Sequence, residues 1–416
     1  MKEFFVEGRE LDPQQIECIK KHTHNHLVVA GAGTGKTTTI IGKIKYLLSQ
    51  GFCRPEEILV LSFTNASATE MRERILRETR QYILKTSRNS VIHASTFHSF
   101  GLEIIRKCKI SGEVSFPEMI SLASRLIFEG KYINPYKVVI VDEYQDISFE
   151  RYQLLKLLRE SKDYDLFCVG DDWQSIYKVA GSEVDLILNF EKYFGETEIS
   201  KIETTYRFPQ SIVDVSGWFV MENPRQIRKK MKGRKDDSFK VMEILSGSAR
   251  EALNFAVLKF VELPENTSIL FLGRYSWDVN QVKACKYLKV ETTSTISDDG
   301  SEDFEHKIVC PARPDLKLDF MTVHKSKGLQ ADYVFIVNCK AGDKGFPATK
   351  EIDKTEKFPF AEERRLFYVA LTRAKKKVFL LTVRADISPF IEEIREKYYK
   401  KLKILQLGLP ETWVDI

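Results

Sequence analysis

Short apolar runs rich in β-branched residues alternate along the chain with stretches whose apolar residues recur every three or four positions. Runs of the first kind are typical of buried strands, and stretches of the second kind are typical of amphipathic helices. The predicted strands are 26–30, 58–63, 137–141, 165–169, 268–272, 332–337 and 377–383. Strands that alternate with helices favour an α/β fold in which parallel sheets carry helices on both faces.

The clearest predicted helix follows the first strand and spans residues 37–50, with Gly51 as a stop signal. Its apolar face is formed by Ile40, Ile41, Ile44, Leu47 and Leu48. The last predicted helix lies in the sequence SPFIEEIREKYYKKL, and a short tail follows it. The alternation as a whole predicts two sheets, one that ends near residue 200 and one that runs from there to about 385.

Length and composition restrict the class of protein. A chain of 416 residues suits two or three domains, and a composition with 43% hydrophobic and 30% charged residues is typical of a soluble globular protein. No apolar segment is long enough for a membrane helix or a signal peptide, so we expect a cytoplasmic protein, monomeric or weakly oligomeric, with no membrane partner. The net charge of +5 permits a polyanionic partner without requiring one.

The cysteines and histidines of the sequence do not have the spacing that is typical of metal sites. The seven cysteines are scattered, with no pair or cluster at the spacing of a zinc or iron site. His22, His24 and His26 lie close together but lead into a buried strand, and no acidic or thiol partner is near them in the sequence. We therefore expect packing cysteines and no metal at these histidines.

The sequence LVVAGAGTGKTTTI, residues 27–40, has the composition of a phosphate-binding loop. Gly35, Lys36 and Thr37 match the end of the strict pattern, whereas Ala30 occupies its first position. In such loops the amides point at phosphate oxygens, the lysine reaches the β and γ phosphates, and the hydroxyl binds magnesium. The residues predicted to bind ATP and Mg²⁺ are Ala32, Gly33, Thr34, Gly35, Lys36, Thr37 and Thr38.

An apolar strand that ends in acidic residues provides the second half of the predicted site. In KVVIVDEYQD, residues 137–146, Asp142 is placed to hold Mg²⁺ together with Thr37, and Glu143 is placed to polarise the attacking water. Hydrolysis needs this pair in addition to the phosphate loop. We therefore predict an ATP hydrolase in which Lys36, Asp142 and Glu143 are catalytic.

Eight sequence blocks, in order along the chain, resemble superfamily 1 helicases of the UvrD, Rep and PcrA type. They are LDPQQ (11–15), LSFTNASATEMRERI (61–75), TFHSFG (96–101), DEYQD (142–146), VGDDWQSIY (169–177), TTYRFPQSI (204–212), MTVHKSKGLQADYVFIV (321–337) and EERRLFYVALTRA (362–374). Within the family the resemblance is strongest to the core of the helicase IV proteins, without their extra amino-terminal region. The resemblance implies two RecA-like P-loop domains with ATP in the cleft between them.

The resemblance also implies roles for residues around the nucleotide. Gln15 is expected to recognise adenine and Tyr206 to stack on it, whereas Arg207 and Arg373 are expected to stabilise the charge of the transferring phosphoryl group. Gln145 and Gln174 are expected to sense the γ phosphate. A surface position near a helix start is the alternative for Gln15, and a hydrogen bond at a helix start is the alternative for Gln174.

Contacts to single-stranded DNA are implied for a second set of residues. They are Phe63, Thr64, Asn65, Thr96, His98, Tyr177, Thr322 and His324. We expect Phe97 to pack in the core instead. Val179 and Ala180 stand where many relatives have a tryptophan and an arginine, so one stacking platform is missing. The basic stretch 225–235 either follows DNA phosphates or is a solvated surface segment.

The expected domains are 1–200, with a reduced helical insertion at 103–135, and 201–416, with a reduced insertion at 276–318 and a helix and tail at 386–416. The predicted function is ATP-driven movement along single-stranded DNA, 3′ to 5′, with unwinding of tailed duplex. An alternative is a motor subunit that unwinds weakly alone and acts beside a partner such as a nuclease. A nucleotide-gated DNA-binding switch is a third possibility, which the complete hydrolytic set disfavours.

Overall fold

The structure is a computed structural model that describes residues 4–86, 91–110, 112–178, 181–236, 238–296, 302–349 and 357–408. The chain divides into two compact units, Met1–Thr204 and Thr205–Ile416. Within the described ranges, no helix combines the length and the apolar character that crossing a membrane requires.

The first unit is built around a sheet of six parallel strands. The strands of the whole unit, of which β3 to β8 form this sheet, are β1 Phe5–Val6, β2 Arg9–Glu10, β3 Asn25–Ala30, β4 Ile58–Ser62, β5 His93–Thr96, β6 Val138–Val141, β7 Asp165–Gly170 and β8 Glu198–Ile202. Its helices are α1 Pro13–Lys20, α2 Lys36–Ser49, α3 Asn65–Thr86, α4 Phe97–Lys107, α5 Glu118–Phe128, α6 Phe149–Ser161, α7 Asp185–Leu188 and α8 Phe190–Phe194. The sheet order is β5-β4-β6-β7-β3-β8, and every residue of β3, β4 and β6 is buried, as in a parallel sheet covered on both faces.

The second unit is built around a sheet of eight strands. The strands of the whole unit, of which β11 to β18 form this sheet, are β9 Thr204–Pro209, β10 Lys232–Arg234, β11 Val241–Ser246, β12 Ser268–Gly273, β13 Lys289–Ile296, β14 Glu302–Val309, β15 Lys317–Thr322, β16 Ala331–Ile336, β17 Ala374–Val383 and β18 Leu402–Gln406. Its helices are α9 Gln210–Met221, α10 Ala249–Leu258, α11 Val279–Lys283, α12 Ala361–Leu371 and α13 Pro389–Tyr398. The sheet order is β13-β14-β15-β12-β16-β17-β11-β18, and only the pairs that involve β14 are antiparallel.

The two sheets share one topology. Without the β13–β14 hairpin, both sheets place their strands, numbered along the chain, in the order third, second, fourth, fifth, first, sixth. Strands β3, β4, β5 and β6 of the first unit therefore correspond to β11, β12, β15 and β16 of the second. The loops that follow corresponding strands therefore occupy corresponding places at the carboxyl-terminal ends of the strands in each sheet.

The predicted fold class is confirmed, because parallel sheets flanked by helices make up both units. Every predicted strand is present, and α2 covers the predicted helix to within one residue at each end. The hydrophobic pattern did not predict the edge strands β5, β8 and β18, which are short or alternate buried and exposed residues. It also missed β11, where Glu243 interrupts the apolar run; this buried carboxylate accepts hydrogen bonds from Arg395 and Thr382.

Candidate functional site

The loop between β3 and α2 has the backbone of an anion-binding turn. Gly33 and Gly35 have φ angles of 73° and 83°, in the left-handed region that glycine enters at little cost. A Cβ atom on Gly35 would lie 2.8 Å from Gln15 Nε2. Gly35 is the N-cap of α2, and no side chain of the described residues caps this end. A helix start without a side-chain cap presents its first amides to an anion.

Gln15 lies beneath this loop and connects it to α1. Its Nε2 donates a hydrogen bond to Thr34 O at 3.1 Å, and its Oε1 accepts one from Asp12 N at 3.0 Å. Asp12 Oδ1 in turn accepts from Gln15 N at 2.9 Å, which completes a capping box at the start of α1. The surface alternative for Gln15 is wrong, since only 4% of the residue is exposed. Its role towards adenine stays a prediction.

Lys36 is the first residue of α2, and its Nζ lies 3.7 Å from Glu143 Oε2. Thr37 and Thr38 follow it, both half-buried. Thr38 Oγ1 accepts a hydrogen bond from Arg74 Nη2 at 3.2 Å. Arg74 lies in α3 and was not among the predicted site residues, because only the packing of α3 beside α2 brings it to the phosphate loop.

The acidic pair follows β6, which is separated from β3 in the sheet by β7 alone. Asp142 is buried, and its Oδ1 accepts a hydrogen bond from Glu143 N at 2.8 Å. Glu143 has a φ of 49°, an uncommon backbone conformation for a residue other than glycine. Burial raises the pKa of Asp142, and the neighbouring Glu143 raises this pKa further, while Lys36 opposes both effects.

This donor set fits a magnesium ion. A buried carboxylate whose pKa is raised by burial is stabilised in its ionised form by a nearby cation. Mg²⁺ is commonly held by one or two carboxylates together with phosphate oxygens and water. Asp142 and Thr37 supply a carboxylate and a hydroxyl of that kind.

A chain of hydrogen bonds leads away from Glu143 across the ends of β6 and β7. Gln145 Nε2 donates to Glu143 Oε2 at 2.6 Å, and Gln145 Oε1 accepts from Asp171 N at 2.8 Å. Gln174 Nε2 donates to Asp171 Oδ2 at 2.5 Å, and Gln174 N donates to Asp171 O at 2.8 Å. All three residues of this chain beyond Glu143 are buried. Asp171 is the N-cap of the short 3-10 helix Asp172–Gln174, so the structure contains the helix-start hydrogen bond given as the alternative for Gln174. The role of Gln174 towards the γ phosphate stays a prediction.

The histidines near β3 have acidic neighbours that sequence proximity did not indicate. His22 Nε2 lies 3.1 Å from Asp165 Oδ2, and His24 Nδ1 lies 3.3 Å from Asp165 Oδ1. Asp165 is distant from these histidines in the sequence, and the parallel pairing of β3 with β7 brings it beside them. Even so, no group of three or more metal-ligating side chains occurs among the described residues.

In the second unit, Thr372 connects the two arginines predicted to act on the γ phosphate. Arg207 Nη1 donates to Thr372 O at 3.3 Å, and Arg373 Nη2 donates to Thr372 Oγ1 at 3.2 Å. Arg373 is buried, and its Nε and Nη1 donate to Val369 O and Leu329 O. Tyr206, next to Arg207 on β9, is 58% exposed.

The predicted DNA contacts of the first unit include residues at the carboxyl-terminal ends of β4 and β5. Ser62 pairs with Thr96 at the ends of the neighbouring parallel strands β4 and β5, so the residues that follow leave the sheet side by side. Thr64 and Asn65 are exposed after β4. Thr96 is buried, and its Oγ1 caps α4 by accepting from Ser99 N at 3.1 Å. Two helix starts, those of α3 and α4, therefore meet at this edge.

Aromatic residues surround these helix starts. Phe97 is fully buried, as expected for a core residue, and its ring centroid lies 5.3 Å from that of the half-buried Phe63. The Arg151 guanidinium lies over both rings. His98 stacks on the ring of Phe116 at 3.8 Å, and burial together with Arg151 lowers the pKa of His98 to about 4. His98 is therefore neutral at pH 7.

The remaining predicted contacts follow β7 and β15. Tyr177 is half-buried, and its carbonyl accepts from Ser182 N at 3.1 Å. Val179 and Ala180 lie outside the described residues. Thr322 is the last residue of β15, and His324 follows it, both half-buried. The basic stretch 225–235 includes β10, which pairs with β9, and its two interpretations stay open.

A parallel α/β unit with a phosphate loop after one strand and an acidic pair two strands away defines the P-loop nucleoside triphosphatases of RecA-like architecture. Comparison with family models narrows this class. The model of the UvrD/REP helicase N-terminal domain matches residues 11–126 and 106–195, and that of the UvrD-like helicase C-terminal domain matches residues 286–385. The chain belongs to the UvrD/Rep family of helicases.

Three relatives align with between 62% and 95% of the chain. DNA helicase IV of Escherichia coli (strain K12) is 28% identical over 516 aligned residues, which cover 94% of this chain and 71% of the relative. A probable DNA helicase of Mycoplasma pneumoniae is 24% identical over 95% of this chain and 86% of the relative. The ATP-dependent DNA helicase PcrA of Staphylococcus aureus is 23% identical over 62% of this chain and 46% of the relative.

Proposed function

We propose that the chain is an ATP-driven motor that moves 3′ to 5′ along single-stranded DNA and separates the duplex ahead of it. The observation that carries this proposal is the convergence of Lys36, at the start of an uncapped helix, on Glu143, with 3.7 Å between Nζ and Oε2. A phosphate-binding lysine and a carboxylate able to activate water are thereby brought together in one unit. Binding alone has no need of the second group.

Each residue of this set has a proposed role in hydrolysis. The amides of residues 32–38 and the Lys36 ammonium bind the phosphates, and Asp142 with Thr37 would hold Mg²⁺. The ion supplies positive charge that neutralises the phosphate oxygens. Glu143 orients the attacking water and accepts its proton. Arg74, which also pairs with the Glu7 carboxylate at 2.9 Å, donates to Thr38 Oγ1 and so connects the start of α2 to α3.

Residues of the second unit are proposed to complete the transition state. As the family resemblance implies, Arg207 and Arg373 would supply planar, permanently charged guanidinium groups to the transferring phosphoryl group. Tyr206 is proposed to stack on adenine, and Gln15 to contact the same base. The shared acceptor residue Thr372 supports the treatment of the two arginines as one set, because it fixes one guanidinium relative to the other.

Communication between nucleotide and DNA is proposed to use the hydrogen-bonded chain from Glu143 through Gln145 and Asp171 to Gln174. Loss of the γ phosphate changes the contacts of Glu143, and the chain transmits this change to the loop that carries Tyr177, three residues beyond Gln174. A ligand shifts a conformational equilibrium only through contacts that differ between states. Contacts between Glu143 and the γ phosphate would differ in this way between the ATP-bound and the ADP-bound protein.

DNA as the track rests on two supports. The matched relatives are named as DNA helicases, and the predicted contacts Thr64, Asn65 and Thr96 lie side by side where α3 and α4 begin, with Thr64 and Asn65 exposed. Single-stranded DNA and tailed duplex are the proposed partners. The 3′ to 5′ direction comes from the family resemblance.

A second candidate function is a motor subunit that unwinds weakly alone and acts beside a protein partner such as a nuclease. The observation that favours it is the small size of the segments that interrupt each sheet. Between β5 and β6 the described residues form only α4 and α5, and between β12 and β15 they form α11 and the β13–β14 hairpin. The alignment with DNA helicase IV is longer than the chain itself, so that relative contains additional residues between the aligned blocks.

One experiment separates these possibilities. ATP turnover is measured with and without single-stranded DNA, and unwinding is measured on duplexes that carry either a 3′ or a 5′ tail. The Glu143→Gln variant serves as the control that binds nucleotide but does not hydrolyse it. Stimulated turnover with unwinding from a 3′ tail is the expected result, whereas stimulation without unwinding favours the motor subunit. Turnover that single-stranded DNA leaves unchanged contradicts both.

A further inference from the structure

An exposed aromatic pair follows β12 in the second unit. The rings of Tyr275 and Trp277 stack with centroids 4.3 Å apart and an interplanar angle of 11°. Trp277 is 49% exposed, although burial of an indole is strongly favourable. The Arg274 guanidinium also lies over the Tyr275 ring, 4.7 Å from its centroid. The pair thus presents a flat aromatic surface to solvent.

The position of this pair in the sheet relates it to the predicted DNA contacts. Gly273 of β12 pairs with Thr322 of β15, so the residues after both strands leave the same edge side by side. Thr322 and His324 are the contacts predicted for this unit. In the first unit, the strand that corresponds to β12 is β4, and the predicted contacts Phe63, Thr64 and Asn65 follow it. The Tyr275–Trp277 pair therefore occupies the equivalent of a predicted track position.

The loop that carries the pair is held rigidly. Arg274 Nε and Nη2 donate to the Glu363 carboxylate at 2.7 to 3.1 Å, and both side chains are almost fully buried. Asp278 Oδ2 accepts from Tyr275 N at 2.9 Å, and Asp278 Oδ1 accepts from Asn338 Nδ2 at 2.8 Å. A rigid platform loses little conformational entropy when a ligand stacks on it.

We propose that Trp277, backed by Tyr275, is a stacking platform for a base of single-stranded DNA on the second unit. This inference rests on the proposed function and adds a contact to it. Bases stack on aromatic faces without sequence preference, while neighbouring basic and hydroxyl groups contact the phosphates. Lys325, exposed and directly after His324, provides such a charge at the same edge. The platform also gives this chain an aromatic contact that does not depend on the Val179 position.

Affinity for single-stranded DNA tests the proposal through matched tryptophan variants. Trp277→Ala is expected to weaken binding of a labelled oligonucleotide by about fivefold to a hundredfold, and Trp277→Phe to retain most of the affinity. Trp218→Ala is the control, since Trp218 on α9 is 46% exposed and also contacts a tyrosine ring, that of Tyr398. Because stacking releases no counterions, the loss is expected at low and high salt alike, with an unchanged slope of log affinity against log salt.

Tryptophan fluorescence gives a readout that a purely structural role would not produce. Stacking of a base quenches the indole, so the oligonucleotide should quench the wild-type protein and Trp218→Phe, but quench Trp277→Phe much less. Trp173 is buried and serves as an internal background. Thermal melting of each variant verifies that it is folded.

The possible outcomes separate this proposal from the function on which it rests. If the wild-type protein does not bind single-stranded DNA, the proposed function fails first. If the wild-type protein binds and Trp277→Ala binds equally well, or if Trp277→Phe keeps the full quenching, the platform is overturned while the motor function stands. In that case the exposed pair serves another surface, such as one for a protein partner.

Discussion

The two units share one strand order, yet their corresponding helix starts are built differently. In the first unit, α2 begins after Gly35, which provides no side chain for a cap. In the second unit, α10 follows the corresponding strand, and Ser248 Oγ caps it by accepting from Glu251 N at 3.2 Å. Glu251 Oε2 also accepts from Gly247 N at 2.9 Å. One amide in the first turn of α10, Glu251 N, thus has a side-chain acceptor, whereas no side chain caps the start of α2, which is available to a phosphate.

The strand that carries the acidic pair shows the same contrast. Glu143 and Asn338 are each the second residue after corresponding strands, and both have left-handed backbones, with φ angles of 49° and 69°. The Asn338 amide donates to Asp278 Oδ1 and Lys344 O, so it holds a loop in place. We therefore propose that one scaffold serves nucleotide chemistry in the first unit, whereas the corresponding position in the second unit has a structural role. A few residues at the strand ends make the difference.

The largest expected effect comes from a substitution in the phosphate loop, which the second unit does not share. Lys36→Ala should lower ATP turnover by more than about a hundredfold, because a charge aimed at the transferring phosphoryl group is lost from a preorganised site. Turnover is measured at saturating ATP with single-stranded DNA present. Arg250→Ala, which removes an exposed positive charge at the start of α10, is the matched control and should leave turnover unchanged. Equal turnover in Lys36→Ala and the wild type would show that the nucleotide site has been misassigned.

A pair of glycine variants sharpens the same contrast. Gly35→Ala forces a left-handed alanine and a Cβ contact of 2.8 Å with Gln15, so we expect a loss of about 1 to 2 kcal/mol in the free energy of unfolding and weaker nucleotide binding. Gly247→Ala is the control in the second unit. There the nearest atom, Glu251 Oε2 at 3.3 Å, belongs to a flexible side chain, and the expected loss is below about 0.5 kcal/mol. Denaturant midpoints and nucleotide titrations provide the measurements.

Removal of the cap on α10 should affect stability alone. Ser248→Ala is expected to cost about 1 kcal/mol of unfolding free energy, because Glu251 N loses its acceptor. Urea denaturation measures this loss, and Ser248→Thr should restore most of it. ATP turnover of the folded variant should equal that of the wild type. A selective loss of turnover would indicate that the α10 start takes part in the chemistry after all.

At pH 7 the smallest expected effect concerns the strand that leads to each helix, because this effect develops only as the pH is lowered. Burial, followed by the charges of Lys43 and Lys21, lowers the pKa of His26 on β3 to about 3. Between pH 6.5 and about 3 the unfolded chain binds a proton that the folded chain does not, so stability falls as the pH falls through this range. Met242 occupies the corresponding position of β11. His26→Met should reduce the slope of the unfolding free energy against pH by up to the equivalent of one bound proton, measured from denaturant midpoints between pH 6.5 and 3. An unchanged slope would contradict the lowered pKa of His26.

All the strands that were predicted are interior strands of the two sheets, although the interior strands β11 and β15 were not among them. Strands such as β3 and β6 are buried on both faces, and their continuous apolar runs stand out from the amphipathic helices around them. The edge strands β8 and β18 carry alternating residues, and β11 contains a paired Glu243, so local hydrophobicity did not reveal them. Their assignment depends on neighbours that are distant along the chain.

The candidate site shows the same division. The spacing in the phosphate loop and the acidic end of β6 predicted that Lys36, Asp142 and Glu143 share one site, and Lys36 Nζ lies 3.7 Å from Glu143 Oε2. Arg74 could not be found in this way, since its place beside Thr38 depends on how α3 packs. The internal partners of Gln15 and Gln174 depend on tertiary hydrogen bonds as well.

By itself, the sequence predicted the fold class and, through resemblance, the family, and residue types at fixed local spacing predicted the chemical groups of the candidate nucleotide site. Tertiary structure decided which helix start is capped, which arginines share an acceptor at Thr372, and that an aromatic pair follows β12 beside the end of β15. These features join residues far apart in the chain through strand pairing and side-chain packing. Local sequence carries no signal for the identity of such partners.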